Sequence, residues 1–430
     1  VFDIDGNIKV VSESRTPTTV GVIGLGYVGL TTTLALLEAG LDVVGCDRSE
    51  PRLAAISGLG DGLTDEEKIR LYPFMGMRLR LTTCIKEACK ADAVIICVPT
   101  PVDQYLVPDL EPLQSACTEV VDNATQGQLV VLTSTTYVGS TRDLLAAPLG
   151  AAGFHIGEDM FVAFSPERVD PGNHEYTQES VPRVLGGVTP ECTRRAELLM
   201  GAISSAVHTV PSAETAELTK LYENTFRAVN IAFVNELADV AEMLGVDPLS
   251  VIDAASTKPY GFMRFTPGPG VGGHCIPVDP HYLLWQLRGM RVSAPVIENS
   301  MTAIAARPGR IVVRATERLA SRQLGVEGAT VLVVGVTYKP DVADVRQSPA
   351  LEILEGLRAR GAHVAYHDPM VSSVVLKDGT SLKSSDEVGA DFDMVIVHTL
   401  HSIGDYSWID THHNVLDATY SRQFDSAPVS

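Results

Sequence analysis

The stretch Gly24-Leu25-Gly26-Tyr27-Val28-Gly29 constrains this 430-residue chain more than any other, because of what flanks it. It follows a short apolar run, Val20-Gly21-Val22-Ile23, and opens a segment, Leu30 to Ala39, with helical periodicity. Leu41 to Cys46 is then a second β-like run. Strand, glycine turn, helix and strand within about thirty residues make a βαβ unit. Gly24 permits the tight turn, Gly26 lets a backbone approach a pyrophosphate, and Gly29 lets the helix pack closely. The helix N-terminus beyond offers N–H groups and a positive dipole end to phosphates. Asp47 closes the second strand eighteen residues after Gly29. A carboxylate there accepts hydrogen bonds from ribose hydroxyls and repels a 2′-phosphate, which favours NAD over NADP; Arg48 beside it pulls the other way.

The same rhythm continues. Ala93 to Val98 and Gln128 to Thr133 read as buried parallel strands, and Phe161–Phe164 and Arg183–Gly186 as shorter ones. From 213 to 245 the chain has no internal Gly or Pro before Gly245. Leu218, Leu221, Phe226, Val229, Phe233, Leu237, Val240 and Leu244 recur there at helical spacing, with Ser212 as N-cap and Gly245 as stop. Such a helix reaches about 50 Å. A Pro- and Gly-rich loop follows from Pro259 to Pro280, then a helical stretch from about Ser293 to Gln323. Strand signals return at Thr330–Val334, His363–Tyr366, Met394–Val397 and Asn414–Asp417, with a helix over Ser348–Arg360. The expected fold is therefore α/β: two Rossmann-like, doubly wound domains joined by a long-helix central domain. The expected boundaries are 1–18 for an N-terminal tail, 19–210 for a nucleotide-binding domain, 211–325 for the helical centre and 326–430 for the second domain.

The chain carries 53 acidic against 33 basic residues, a formal charge of −20. That field disfavours nucleic acid and anionic lipid as partners, so an anionic small ligand needs local cations. No apolar run approaches the roughly 18–20 residues needed to span a bilayer, and a cytoplasmic protein is expected. Seven cysteines, an odd number without a C-x-x-C pair, suggest neither a disulfide framework nor a metal site.

Two further constellations carry chemistry. Gly268-Pro269-Gly270-Val271-Gly272-Gly273-His274-Cys275-Ile276-Pro277-Val278-Asp279-Pro280 lets a backbone wrap a ligand and delivers one thiol, Cys275, on a loop. On the long helix, Lys220 and Asn224, with Arg227 or Ile231 beyond, share a stripe opposite the Leu/Phe face. Taken alone, such a stripe is more often a solvated face.

Together with Val98-Pro99-Thr100-Pro101, Ser134-Thr135-Thr136, Ser165-Pro166-Glu167 and the stretch Lys339 to Arg346, these motifs resemble the UDP-glucose/GDP-mannose dehydrogenase family of nucleotide-sugar 6-dehydrogenases. The resemblance runs from residue 19 to about 420. It implies a four-electron, NAD-dependent oxidation of the C6 hydroxyl of an NDP-hexose to the uronic acid. Cys275 matches the nucleophile that forms a thiohemiacetal and then a thioester. Lys220 and Asn224 match the groups that stabilise the oxyanion, and Asp279 the carboxylate acting with the lysine through water. Glu167 matches a glutamate that handles protons in thioester hydrolysis, and Thr135 a threonine that positions water. The resemblance places Gly24, Gly26, Tyr27, Val28, Gly29, Asp47, Arg48, Pro99, Thr100, Ser134, Thr135 and Arg346 on NAD. It places Glu167, Arg168, Lys220, Asn224, Gly272, Lys339 and Arg264 on the sugar nucleotide. Lys258 competes with Arg264 for the role of a basic residue offered to a neighbouring subunit.

The loop before Cys275 is closest to the branch acting on UDP-N-acetylhexosamines, GlcNAc or ManNAc; a UDP- or dTDP-glucose 6-dehydrogenase is the alternative. A two-electron hydroxy-acid dehydrogenase, which has no use for Cys275, and a non-catalytic sugar-nucleotide binding protein are the rival classes. The apolar face of the long helix predicts a homodimer.

Overall fold

The computed structural model describes residues 17–169, 180–386, 388 and 391–421. Most of the tail expected over 1–18 lies outside the described residues. The chain divides into two compact units, Val1–Leu221 and Tyr222–Ser430.

The first unit is built on eight strands: β1 Thr19–Ile23, β2 Asp42–Cys46, β3 Leu79–Thr82, β4 Ala93–Ile96, β5 Leu129–Leu132, β6 Phe161–Phe164, β7 Arg183–Gly187 and β8 Val207–Thr209. Their order is β3-β2-β1-β4-β5-β6-β7-β8. All pairings are parallel except β6 with β7. Every residue of β4, β5 and β6 is buried, as expected of strands covered on both faces. Side chains alternate between two cores. Val20, Val22, Ile95 and Val131 pack with Leu30, Leu34 and Leu37 of the helix Tyr27–Glu38. Ile23, Val94, Ile96, Val130 and Leu132 pack with Leu113, Cys117 and Val120 on the opposite face. Each such side chain contributes about 1.5–3 kcal/mol. The strand order reverses between β1 and β4, which makes the carboxyl ends of β1 and β4 the topological switch point where open α/β sheets take ligands.

The helix Ala213–Met243 passes through the boundary between the units, with Ser212 Oγ accepting from Thr215 N–H at 3.2 Å and Gly245 beyond its end at φ +69°. The apolar stripe from which a homodimer is expected lies open in the single chain. The large apolar residues Leu218, Tyr222, Phe226, Phe233, Val240 and Leu244 are exposed, Phe233 at 69%. The buried face carries Leu221 and Val234 but is mostly small or polar: Ala228, Ala232, Ala238, Asn224 and Asn235. Small side chains let the neighbouring helices Asp279–Gly289 and Pro295–Ser321 come close, through Leu284, Met301 and Ile304. Asn224, on the stripe that taken alone is more often a solvated face, is therefore buried.

The second unit carries β9 Thr330–Val334, β10 His363–His367, β11 Ser373–Val375, β12 Ser381–Lys383, β13 Met394–Val397 and β14 Val415–Asp417. Four of these form a parallel sheet in the order β10-β9-β13-β14, and β11 pairs with β12 as a hairpin. Ile311, Val312, Ala315 and Leu319 of the helix Pro295–Ser321 pack against this sheet with Ile353, Leu354 and Leu357 of the helix Pro349–Arg358. The corner after β9 repeats the one after β1. Gly24 N–H donates to Cys46 O and Gly335 N–H to His367 O, both at 2.8 Å. Asp47 accepts from Leu25 N–H and Asp368 from Val336 N–H, at 2.8 and 2.7 Å.

Candidate active site

In the first unit the ends of β1, β2, β4, β5 and β6 bring together most of the residues assigned to the cofactor. Gly24 has φ +86°, and a Cβ there would lie 2.7 Å from Cys97 O. A Cβ at Gly29 would lie 1.7 Å from Gly24 O, so the turn closes only on hydrogen. Gly26 differs: nothing lies within 4 Å of the Cβ position. It caps the helix Tyr27–Glu38 without a side-chain acceptor, and the first turn holds no acid. A helix N-terminus left bare over open space fits a pyrophosphate. Asp47 accepts from Leu25 N–H and Ser49 N–H (2.8 and 2.9 Å), which fixes its carboxylate beside that turn. Arg52, which sequence reasoning missed, donates Nε–H to Leu25 O at 2.9 Å and braces the turn from behind.

Tyr27, Arg48 and Pro99 are exposed, and Val28, Thr100 and Thr135 half-buried, at the same edge. Ser134 is buried, and its hydroxyl donates to Val98 O at 2.8 Å, tying the end of β5 to that of β4.

Glu167 follows β6 and is buried. Its Oε1 accepts from Arg168 N–H and Val169 N–H at 2.8 and 3.1 Å, and its Oε2 pairs with Arg183 Nη2 at 2.9 Å. Arg183 sits at the start of β7 with its side chain 3% exposed. Nothing in the sequence linked it to Glu167, because only the antiparallel return of β7 beside β6 does so. Arg168 turns away to Pro182 O. Lys220 Nζ donates to the backbone oxygen of Glu167 at 2.8 Å. One turn earlier, buried Glu217 accepts from Gly139 N–H, Thr141 N–H and the Ser140 and Thr141 hydroxyls, which anchors the helix that presents Lys220.

The second unit gathers the thiol loop. Cys275 is exposed, while Ile276 beside it is buried against Ala228 and Ala232. Cys275 O accepts from Asp279 N–H at 2.8 Å, where the helix Asp279–Gly289 begins. Asp279 is 3% exposed, and its Oδ2 accepts from Asn224 Nδ2 at 2.5 Å. A Cβ on Gly272 would lie 2.6 Å from both Gln347 O and Tyr338 Cβ. Gly273 N–H donates to Arg346 O at 3.1 Å. The glycines thus seat the thiol loop against the segment that carries Lys339 and Arg346. Arg346 forks onto Asp344 (Nη2–Oδ2 2.6 Å). The hydrogen bond to Asp344 raises its pKa above the ordinary arginine value. Burial would raise Asp344, but the hydrogen bonds and charge of Arg346 prevail and hold its carboxyl below the usual range. Desolvation, then the Arg346 charge, keeps His274 below its ordinary value and so favours the neutral ring. Arg264 lies on the surface, paired with Asp253 at 2.8 Å, and Lys258 lies over the Tyr260 ring at 4.9 Å.

Of the other six cysteines, Cys46, Cys89, Cys97, Cys117 and Cys192 are buried and Cys84 is exposed. Burial pushes the Cys97 and Cys117 thiols up to about 12, which removes them as nucleophiles. Among the described residues, no group of three or more His, Cys, Asp or Glu is placed to hold a metal ion, and no helix is long and apolar enough to cross a membrane.

Residues 18–203 match the UDP-glucose/GDP-mannose dehydrogenase family's NAD binding domain, 214–303 its central domain and 332–421 its UDP binding domain. The chain belongs to the UDP-glucose/GDP-mannose dehydrogenase family. As a member it is an NAD-dependent oxidoreductase, and the open Gly26 corner fits that cofactor. Among its relatives, UDP-N-acetyl-D-glucosamine 6-dehydrogenase of Pseudomonas aeruginosa is 33% identical over 89% of this chain and 90% of its own length. UDP-N-acetyl-D-mannosamine dehydrogenase of Pyrococcus horikoshii is 35% identical over 89% of each. A solved structure of UDP-D-ManNAc dehydrogenase from Pyrococcus horikoshii superposes with a TM-score of 0.85 at 30% identity, over 96% of this chain and 98% of that one.

Proposed function

We propose that this dehydrogenase oxidises the C6 hydroxyl of a UDP-N-acetylhexosamine to the uronic acid in two steps on one thiol. The observation that carries this reading is Cys275: an exposed thiol on a loop held at Asp279, next to Asn224, whereas Cys97 and Cys117 are buried and hard to ionise. Bound NAD supplies the hydride acceptor for both oxidations. The thiolate of Cys275 adds to the C6 aldehyde, giving a thiohemiacetal whose oxidation yields a thioester; water then cleaves the C–S bond, releasing the acid and restoring the thiol. Lys220 and Asn224, one turn apart on one helix, stabilise the oxyanion, and Asp279 takes the alcohol proton through water. Glu167, fixed by Arg183, and Thr135 serve the hydrolytic water. Lys339, Arg168 and Gly272 hold the sugar nucleotide, and Arg346 the cofactor. Arg264 serves a neighbouring subunit.

The relatives named for UDP-N-acetylhexosamines support this substrate over a UDP- or dTDP-glucose. The test is NADH released per sugar across UDP-GlcNAc, UDP-ManNAc, UDP-Glc and dTDP-Glc. Two NADH from a UDP-N-acetylhexosamine is the expected result, and Cys275→Ser must abolish acid formation. One NADH per sugar from the native enzyme sinks the mechanism. The exposed stripe Leu218, Tyr222, Phe226, Phe233, Val240 and Leu244 supports a homodimer. Phe233→Asp should then halve the mass measured by light scattering; an unchanged mass removes this face as the interface. A cytoplasmic protein in three parts, 19–210, 211–325 and 326–430, completes the proposal.

A further inference from the structure

Both ends of the thiol loop are held by one face of the helix Ala213–Met243. Asn224 grips Asp279, at the far end. Three turns on, about 16 Å along the axis, Asn235 Oδ1 accepts from Gly268 N–H at 2.9 Å. The carbonyl of the same residue, Gly268, accepts from Arg307 Nε–H at 2.9 Å. One backbone residue is thereby clamped through both of its polar groups by side chains only 5% and 3% exposed. Each nitrogen of Arg307 has a partner: besides Nε on Gly268, Nη1 pairs with Asp239 at 2.7 Å, one turn beyond Asn235, and Nη2 donates to Tyr420 Oη at 3.0 Å. Tyr420 Oη also accepts from Arg314 Nη1 at 2.9 Å, with the Arg314 guanidinium 5.2 Å from the ring centroid.

We propose that Asn235 and Arg307, with Tyr420 pinning Arg307, are positioning residues that set the register of Cys275. This rests on the reading of Cys275 as the nucleophile. A buried guanidinium is a weak source of stability, since an apolar side chain of similar volume often does as well. What it does supply is direction: with Nη1 fixed on Asp239 and Nη2 on Tyr420, the planar fork aims Nε–H at one position of the Gly268 carbonyl. Beyond Gly268 the loop is seated at Gly272 against Tyr338 and Gln347, at Gly273 on Arg346 O and at Ile276 on Ala228 and Ala232, and the clamp at Gly268 fixes where it enters this series of contacts on its way to the thiol. The clamp matters only for the steps that use sulfur. The first hydride transfer, alcohol to aldehyde, proceeds without it.

The test uses the full-length enzyme in a Cys84→Ser background, which leaves Cys275 as the exposed thiol. Asn235→Leu removes the acceptor at similar volume, Asn235→Asp restores one, and Tyr420→Phe removes a single hydroxyl. Single-turnover NADH formation, uronic acid formation, trapped aldehyde and the rate of Cys275 alkylation by iodoacetamide are measured on UDP-GlcNAc or UDP-ManNAc, whichever turns over. Asn235→Leu should leave the first hydride transfer and KM within about threefold, lower acid formation about 100-fold and let aldehyde accumulate, because a misplacement near 1 Å has that effect on a covalent step. Asn235→Asp should recover most of the loss, and Tyr420→Phe should show the same split at about tenfold. An equal fall in both oxidations, or normal acid formation in Asn235→Leu, overturns the proposal. Should Asn235→Leu fail to fold, Tyr420→Phe decides by the same criteria. Failure of the underlying reading is seen separately, as two NADH per sugar from Cys275→Ser.

Discussion

Gly26→Ala and Gly29→Ala add the same methyl group three residues apart and should have opposite consequences. The Cβ at Gly29 would sit 1.7 Å from Gly24 O and 2.8 Å from Gly24 C, contacts that require the turn or the helix to move. Overpacking of this kind costs about 3 kcal/mol or more when backbone is the obstacle. The Cβ at Gly26 meets nothing within 4 Å, at a φ of −65° that alanine readily adopts. Apo stability should therefore be unchanged, while the methyl occupies the space offered to the pyrophosphate. A ligand at 100 times its Kd stabilises by about 2.7 kcal/mol; tenfold weaker binding leaves about 1.4 kcal/mol. For a unit near 200 residues that is a melting shift of about 5–11 °C in the native protein and about 3–6 °C or less in Gly26→Ala. Thermal unfolding of both variants with and without NAD, with calorimetric titration of NAD, measures each quantity. The reasoning is refuted if Gly26→Ala lowers the apo melting temperature as Gly29→Ala does, or keeps the full NAD shift.

Arg183→Met should leave Glu167 buried without its cation and cost about 3–5 kcal/mol, read as a lower denaturation midpoint; the double variant with Glu167→Gln should recover part of it, and no loss in the single variant would mean the pair is dispensable. His398 is buried, and burial lowers its pKa to about 4 from 6.5. Between those values the unfolded chain binds a proton that the folded chain refuses, so stability falls with pH from about 6.5 down to 4, by about 3 kcal/mol in all. His398→Asn should flatten that part of the midpoint-against-pH curve. An unchanged slope would remove His398 as its source.

Much of this protein was legible along the chain because the signals are local. Strand periodicity, the glycine spacing and Asp47 follow from backbone geometry within about thirty residues. The corner they form has the expected roles: Gly24 at positive φ, Gly29 in close contact and Gly26 open. The repeat of this corner at Gly335 and Asp368 emerged only from the fold, because its second copy is used differently. Asp368 is buried and spends its oxygens on Val336, Met370, Val371 and His401, where Asp47 remains half-exposed.

The α/β class, the nucleotide corner, the long helix and the loop position of Cys275 could be read along the chain, since each depends on near neighbours. Which face of that helix is buried came from packing in three dimensions. Periodicity locates an apolar stripe but not the partner that covers it, and here alanine and asparagine give the closer approach. The fold also paired Arg183 with Glu167, and brought Asn235 and Arg307 to Gly268 and Tyr420 to Arg307. Buried polar side chains find partners wherever the fold delivers them, and no spacing along the chain encodes a meeting between residues 235, 268, 307 and 420.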